Sequence, residues 1–225
     1  MSRIELVGPK SAGMFTRLLL RSARRQTKAL AGRETEGMIG PIEAYAHCPS
    51  LMVGYGVFES ATARQHRVPK ELKLLAELKA ATLTTCEYCI DIGSQIARRS
   101  GVSDEKLLQL ARYQESEAFD PQEKLVCEYA VAMSRTPVEV SDELFARMRE
   151  HFDDAQIVEL TSLVALENMR GRFNHALGFG SSGLTEGMVC AVPERAGAGG
   201  AAATGAGSAA GAATANGAGA AVPAA

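Results

Sequence analysis

Helix starts recur along this chain with their capping chemistry spelled out, and no stretch of it is patterned as a strand. Asp120-Pro121-Gln122-Glu123 sets an acidic N-cap, a first-turn proline and a capping-box glutamate ahead of Leu125, Val126, Tyr129, Ala130 and Met133, which recur at helical spacing. Asp153, with Gln156 three residues on, opens a longer helix through Ile157, Leu160, Leu163, Val164 and Leu166 towards Phe173 and Leu177, with Gly178 and Gly180 as stop signals. Ser103-Asp104-Glu105 and Ser141-Asp142-Glu143 repeat the cap with acidic first turns, leading into Leu107, Leu108 and Ala111 and into Leu144, Phe145 and Met148. Residues 11–30 read as a basic, partly amphipathic helix, in which Arg17, Arg21, Arg24, Arg25 and Lys28 accompany Met14, Phe15, Leu18, Leu19 and Leu20. His47-Cys48-Pro49-Ser50 breaks the chain as a packed turn before another helix over residues 51–63. Hairpin chemistry is absent, so the expected fold class is all-α, a helical bundle.

Three parts are expected: a basic N-terminal arm (1–35), a helical domain (36–195) and a disordered Ala/Gly-rich tail (196–225). In the tail glycine recurs every few positions and no apolar periodicity offers a docking face, which predicts flexible chain. A net charge of −2 gives no electrostatic reason to bind nucleic acid. No apolar run approaches the length of a bilayer span, and residues 1–10 lack the apolar core of a secretory signal. Residence in the cytoplasm, away from membranes, is expected. The arginines of the arm suit an anionic membrane surface, an organelle-targeting segment, or an arm packed on its own fold or on a neighbouring subunit with its charges solvated. The packed arm is the expectation.

Chemistry enters at Cys86-Glu87-Tyr88-Cys89. Two intervening residues at the first turn of a helix place both sulfurs on one side, within reach of a disulfide. The helix N-terminus directs unpaired N–H groups and partial positive charge at the first sulfur, favouring its thiolate. A zinc site would need four ligands, whereas Cys48, Cys127 and Cys190 are isolated from one another. Reversible dithiol oxidation, without a cofactor and in a reducing compartment, is the expectation.

Pro69-Lys70-Glu71-Leu72-Lys73-Leu74-Leu75, the Ala- and Thr-rich helix after it, the Cys86–Cys89 motif, Glu167-Asn168 and Arg172-Phe173-Asn174-His175-Ala176-Leu177-Gly178 together resemble the carboxymuconolactone decarboxylase family. Within it, the likeness is closer to the alkyl hydroperoxidase D branch and spans about residues 47–190. The resemblance implies an all-α bundle that forms homo-oligomers, commonly trimers or multiples of them. It also implies a dithiol that reduces hydroperoxides or the disulfide of a partner peroxiredoxin-like protein, fed by a thiol electron donor that the sequence does not identify.

The family's peroxidase branch has a relay glutamate twelve positions before the first cysteine and a relay histidine four after the second. Leu74 and Gly93 stand there in this chain and carry no proton. Glu77, one turn past Leu74, is the candidate replacement carboxylate, set against pairing with Lys70 or Lys73. His175 is the candidate replacement base, set against a structural role. Glu87 and Asp91 flank the thiols, where a carboxylate raises a thiol pKa. Helix electrostatics favours Cys86 as the first nucleophile and the resemblance favours Cys89, so the order stays open. The expected activity is that of a thiol-dependent peroxidase or disulfide reductase using Cys86, Cys89, Glu77 and His175. The alternative is a decarboxylase-like lyase or hydrolase acting on a small lactone or keto acid through Glu77, Arg172 and His175.

Overall fold

The computed structural model describes residues 2–194, and the tail expectation lies outside them. Nine helices and a short 3-10 turn make up the described residues, with no strand among them. In chain order they are α1 (Met14–Ala31), α2 (Gly40–Tyr45), α3 (Pro49–Ala63), α4 (Lys70–Leu83), α5 (Glu87–Arg99), α6 (Asp104–Gln109), the 3-10 turn (Leu110–Arg112), α7 (Pro121–Ser134), α8 (Asp142–His151) and α9 (Asp154–Leu177).

The capping residues act where the sequence places them. Asp120 accepts from the Glu123 N–H at 2.8 Å while Glu123 accepts from the Asp120 N–H at 2.9 Å. Asp153 and Gln156 make the same reciprocal pair ahead of α9. The Ser103 and Ser141 hydroxyls accept from the N–H groups of Lys106 and Leu144. Each bond satisfies an amide that the first helical turn leaves without a partner. Gly178, at φ 73°, takes the left-handed conformation that ends α9.

The centre of the bundle is α4, and nine of its 14 residues are buried, so it is enclosed on more than one side. Leu72, Ala76 and Ala80 fall one turn apart and meet Val126, Tyr129, Leu144, Leu160 and Val164 of α7, α8 and α9. Leu74, Leu75, Leu78 and Ala81 enter a second cluster with Ile90, Leu107, Leu110 and Cys127. A third cluster gathers Leu20, Ala31, Met38, Ile39, Met52 and Leu184, fastening α1 and its neighbours to the segment after α9. Along α1, Leu20 is buried while Met14, Phe15 and Leu18 are exposed, and Arg24 pairs with Glu34 and Glu43.

After α9 the chain returns across α4 and α5. The Ala191 N–H donates to Ser94 Oγ at 3.0 Å, and Glu194 meets the buried Lys79 ammonium at 2.5 Å and Thr82 Oγ1 at 3.0 Å. Lys79 also donates to the Leu110 carbonyl and lies 4.7 Å from the centre of the Tyr113 ring. None of the helices described is long and apolar enough to cross a membrane.

Candidate active site

The turn between α4 and α5 sets the position of the cysteines. Thr84 ends α4, Thr85 follows at φ 50°, and Cys86 is the N-cap of α5. At this turn α9 comes unusually close: a Cβ on Gly171 would lie 2.4 Å from Thr84 Oγ1. The absence of a side chain at 171 thus seats α9 on the residues that lead into Cys86.

Cys86 and Cys89 are joined as a disulfide, with Cα atoms 5.2 Å apart, and are 2% and 5% exposed. Cys86 Sγ accepts the Cys89 N–H at 3.2 Å, so one sulfur serves as the helix cap. One turn past Gly171, Asn174 reaches both sulfurs, its amide nitrogen 3.4 Å from Cys86 Sγ and 3.3 Å from Cys89 Sγ. Its Oδ1 is buried without a partner. His175, the next residue, turns to the chain instead, with Nε2 2.9 Å from Thr85 Oγ1 and 3.1 Å from the Thr85 carbonyl. It braces the α4–α5 turn and makes no contact with either sulfur in the hydrogen-bonding network.

Cys89 borders a cavity of about 1320 Å³ between α1, α3, α4, α5 and α9, whereas Cys86 is set back from it. Leu74, Leu78, Ile92, Leu163 and Phe173 contribute apolar wall, and Glu59, Glu77, Glu167 and Arg170 contribute charge. Arg170 holds these carboxylates together: Glu59 accepts from Nε and Nη2 at 2.8 and 2.5 Å, Glu77 from Nη1 at 3.0 Å and Glu167 from Nη1 at 2.8 Å. Glu77 therefore pairs with Arg170 rather than with Lys70 or Lys73, and Lys73 bonds Glu159. Burial pushes the Glu167 carboxyl up to about 7 despite the nearby Arg170, and burial raises Glu77 as well. Two carboxyls of one cavity are thereby moved towards the range in which they exchange protons near neutral pH.

Both relay positions lie on this cavity but are apolar. Leu74 and Gly93 border it, and a Cβ at 93 would come within 2.9 Å of Leu78 Cδ2, so Leu78 fills the space a side chain there would enter. Glu87 is exposed. Asp91 faces the returning chain, accepting from the backbone and hydroxyls of Ser182 and Thr185 and from the Leu184 N–H. Burial opposes its charge, but the hydroxyls of Thr185 and Ser182 and the backbone N–H groups outweigh it and hold the pKa below the usual value.

Of the remaining cysteines, Cys127 is buried and its thiol is pushed up to about 12 by that burial, Cys48 is exposed, and Cys190 lies 3.4 Å from Ser94 Oγ. No group of three or more His, Cys, Asp or Glu side chains is placed to hold a metal ion among the described residues.

Glu167, Arg170 and Asn174 escaped assignment of a role from sequence, although a signal for them exists. They continue the buried stripe Leu160–Leu163 along α9 at helical spacing, so an apolar face turns polar as it approaches the cysteines. Glu59 gives no such signal, because it arrives from α3.

The profile of the carboxymuconolactone decarboxylase family matches residues 53–132. The uncharacterized protein YnjA of Escherichia coli is 35% identical over 161 residues, covering 70% of this chain and 85% of that protein. YdfG of Bacillus subtilis, also uncharacterized, is 28% identical over 116 residues, covering 51% and 79%. Among solved structures, the debrominase Bmp8 in complex with 2,3,4-tribromopyrrole superposes with a TM-score of 0.67 at 21% identity, covering 79% of this chain and 92% of its own. The alkylhydroperoxidase AhpD core of a peroxidase-related protein from Ralstonia eutropha gives 0.63 at 17% identity, covering 79% and 90%. At these identities the structural likeness is one of fold.

Proposed function

The chain belongs to the carboxymuconolactone decarboxylase family, and from that premise we propose that it is a dithiol oxidoreductase whose Cys86–Cys89 pair reduces small organic hydroperoxides. The observation that carries this reading is the unequal placing of the two joined sulfurs. Cys89 borders the cavity, and Cys86 caps α5 behind it.

In the reduced protein the Cys89 thiolate attacks the outer oxygen of the hydroperoxide. The O–O bond breaks, the alkoxide takes a proton and leaves as the alcohol, and Cys89 becomes a sulfenic acid. Cys86 then attacks Cys89 Sγ, the S–S bond forms, and hydroxide leaves as water after protonation. Two electrons pass from the dithiol to the peroxide; a donor thiol then attacks Cys89 and expels Cys86, and a second donor thiol attacks the first donor's sulfur, freeing Cys89 and leaving as the donor disulfide. The helix N-terminus suits Cys86 to both of its parts, as resolving thiolate and as leaving group. Glu77 and Glu167 are the proton sources on the cavity wall, and Asn174 stabilises developing negative charge on sulfur.

Burial of both sulfurs favours a small molecule over a protein disulfide as the oxidant. The lyase alternative draws less support, since the carboxylate of a decarboxylase substrate would enter a site where Arg170 is already engaged by three glutamates. Because a debrominase shares the fold, a brominated heteroaromatic belongs beside organic hydroperoxides in the substrate panel.

Single-turnover reaction with cumene hydroperoxide tests the proposal. Cys86→Ser should consume one equivalent of peroxide and leave a sulfenic acid on Cys89 that dimedone traps, and Cys89→Ser should consume none. Peroxide consumption by Cys89→Ser, or turnover of a lactone by the double variant, would refute it.

A further inference from the structure

We infer that the Glu167 end of the cavity selects an uncharged or cationic organic ligand that donates a hydrogen bond, and that it turns carboxylates away. The inference rests on the cavity being the substrate chamber of the Cys86–Cys89 pair.

Charge balance is its first ground. Three carboxylates surround one guanidinium, and Nε, Nη1 and Nη2 of Arg170 are all taken by Glu59, Glu77 and Glu167. Arg170 has no free edge to offer an incoming anion, and the carboxylates outnumber it. The other cation on this wall, Lys73, is held by Glu159 at 2.8 Å and by the Gln65 carbonyl at 2.6 Å. Arg64, His66 and Lys70 also border the cavity, but they are exposed, where water and salt screen them.

The second ground is the set of polar atoms without partners. Glu167 is 4% exposed and its Oε1 has no hydrogen-bond partner, although its Oε2 meets Arg170. Asn174, 3% exposed, has a partnerless Oδ1 on the same face of α9. Both residues border the cavity and both unpaired atoms accept hydrogen bonds, so a ligand that complements them brings donors. Seven residues separate them on α9, roughly 10 Å along the axis at about 1.5 Å per residue. Apolar wall from Leu74, Leu78, Leu163 and Phe173 completes the chamber. A compact apolar body with a hydroxyl or amine at the end away from Cys89 matches that pattern.

The groups that face Glu167 set its response to pH. Arg170 from α9 itself, Glu77 from α4 and Glu59 from α3 act on it directly, and Tyr55 of α3, Lys73 of α4 and Tyr88 of α5 line the same cavity. Because burial raises the Glu167 carboxyl to about 7, the end gains negative charge as pH rises through neutrality.

Three probes with one apolar body and different heads test the inference: 4-phenylbutylamine, 4-phenylbutan-1-ol and 4-phenylbutanoate. Each is titrated calorimetrically into the oxidised protein, in which the disulfide is closed and no redox step occurs. At about pH 8 the amine and the alcohol should bind at least about tenfold more tightly than the carboxylate, because a like charge at a desolvated contact is strongly disfavoured. Lowering the pH to about 6 should narrow the gap between amine and carboxylate as Glu167 takes up a proton. Glu167→Gln should show the narrow gap at both pH values. Equal binding of the three at the higher pH, tightest binding of the carboxylate, a gap in the unaltered protein that ignores pH, or an unchanged gap in Glu167→Gln would overturn the assignment. The unaltered protein alone provides three of these outcomes should the variant fail to fold. Since the binding is measured without turnover, failure here leaves the peroxidase reading standing, and failure of the cysteine variants leaves the binding result standing.

Discussion

Asn174 donates to both sulfurs from within the protein, and a neighbour one residue away, His175, has the more familiar catalytic side chain but bonds Thr85 instead. Which of two adjacent residues meets the cysteines depends on the rotation of α9 about its axis, and Gly171 fixes that rotation by seating on Thr84. Sequence spacing gives the disulfide pair directly, because both cysteines are local to one helix start. It cannot give Asn174, because that contact joins segments 85 and more residues apart. Replacing Asn174 with Ala should slow alkylation of the reduced pair by iodoacetamide about tenfold near neutral pH, as expected for losing a hydrogen bond to an ionised group worth about 1.5 kcal/mol. An unchanged alkylation rate would remove Asn174 from thiolate stabilisation. Glu167 carries a second expectation at this scale. Its carboxyl ionises near 7 in the folded protein and near the ordinary carboxylate range when unfolded, so the folded state binds the extra proton between those values. The associated stability is present in acid and is lost as pH rises through about 7, a change on the order of 3 kcal/mol. Urea unfolding from about pH 5 to 8 should show this decline, and Glu167→Gln should flatten it.

Helix existence was legible because capping is local chemistry. Asp120, Asp153, Ser103 and Ser141 each bond an amide three residues away, and the observed starts of α7, α9, α6 and α8 follow. Helix pairing was not legible in the same way. Nothing in the sequence of α4 distinguishes Ala76 and Ala80, which face α7 and α9, from Ala81, which lies in the cluster with α5. Glycines show the same contrast between local and tertiary meaning. Gly171 and Gly54 both lie inside helices, but a methyl group at 171 meets Thr84 and one at 54 meets nothing within 4 Å. Gly171→Ala should therefore destabilise the fold by about 1–3 kcal/mol through overpacking. Gly54→Ala should stabilise it by about 0.5–1 kcal/mol through helix propensity. Equal effects in thermal melts would show that α9 does not need its close approach to the α4–α5 turn.

Across the whole molecule the segment after α9 binds the bundle together. Met188 and Val192 remain substantially exposed, Ala191 is buried, and Glu194 pairs with the buried Lys79. Its apolar character was visible in the sequence. The ion pair was not, because the charges lie 115 residues apart. A chain ending at Arg195 retains each of these contacts and should melt with the full-length protein. One ending at Glu186 strands the Lys79 ammonium in an apolar setting and should lose about 3 kcal/mol or more. Matching melting temperatures for the two would show that this segment is dispensable. A different consequence follows from α9 being one continuous helix of 24 residues that carries Glu167, Arg170, Gly171 and Asn174. Occupancy at Glu167 and the electron count on the sulfurs are two equilibria read by the same rigid rod. If a guest favours the reduced or the oxidised protein, equilibrium reciprocity makes it shift the midpoint potential of the pair, and in that case the chamber would tune the dithiol as well as admit its substrate.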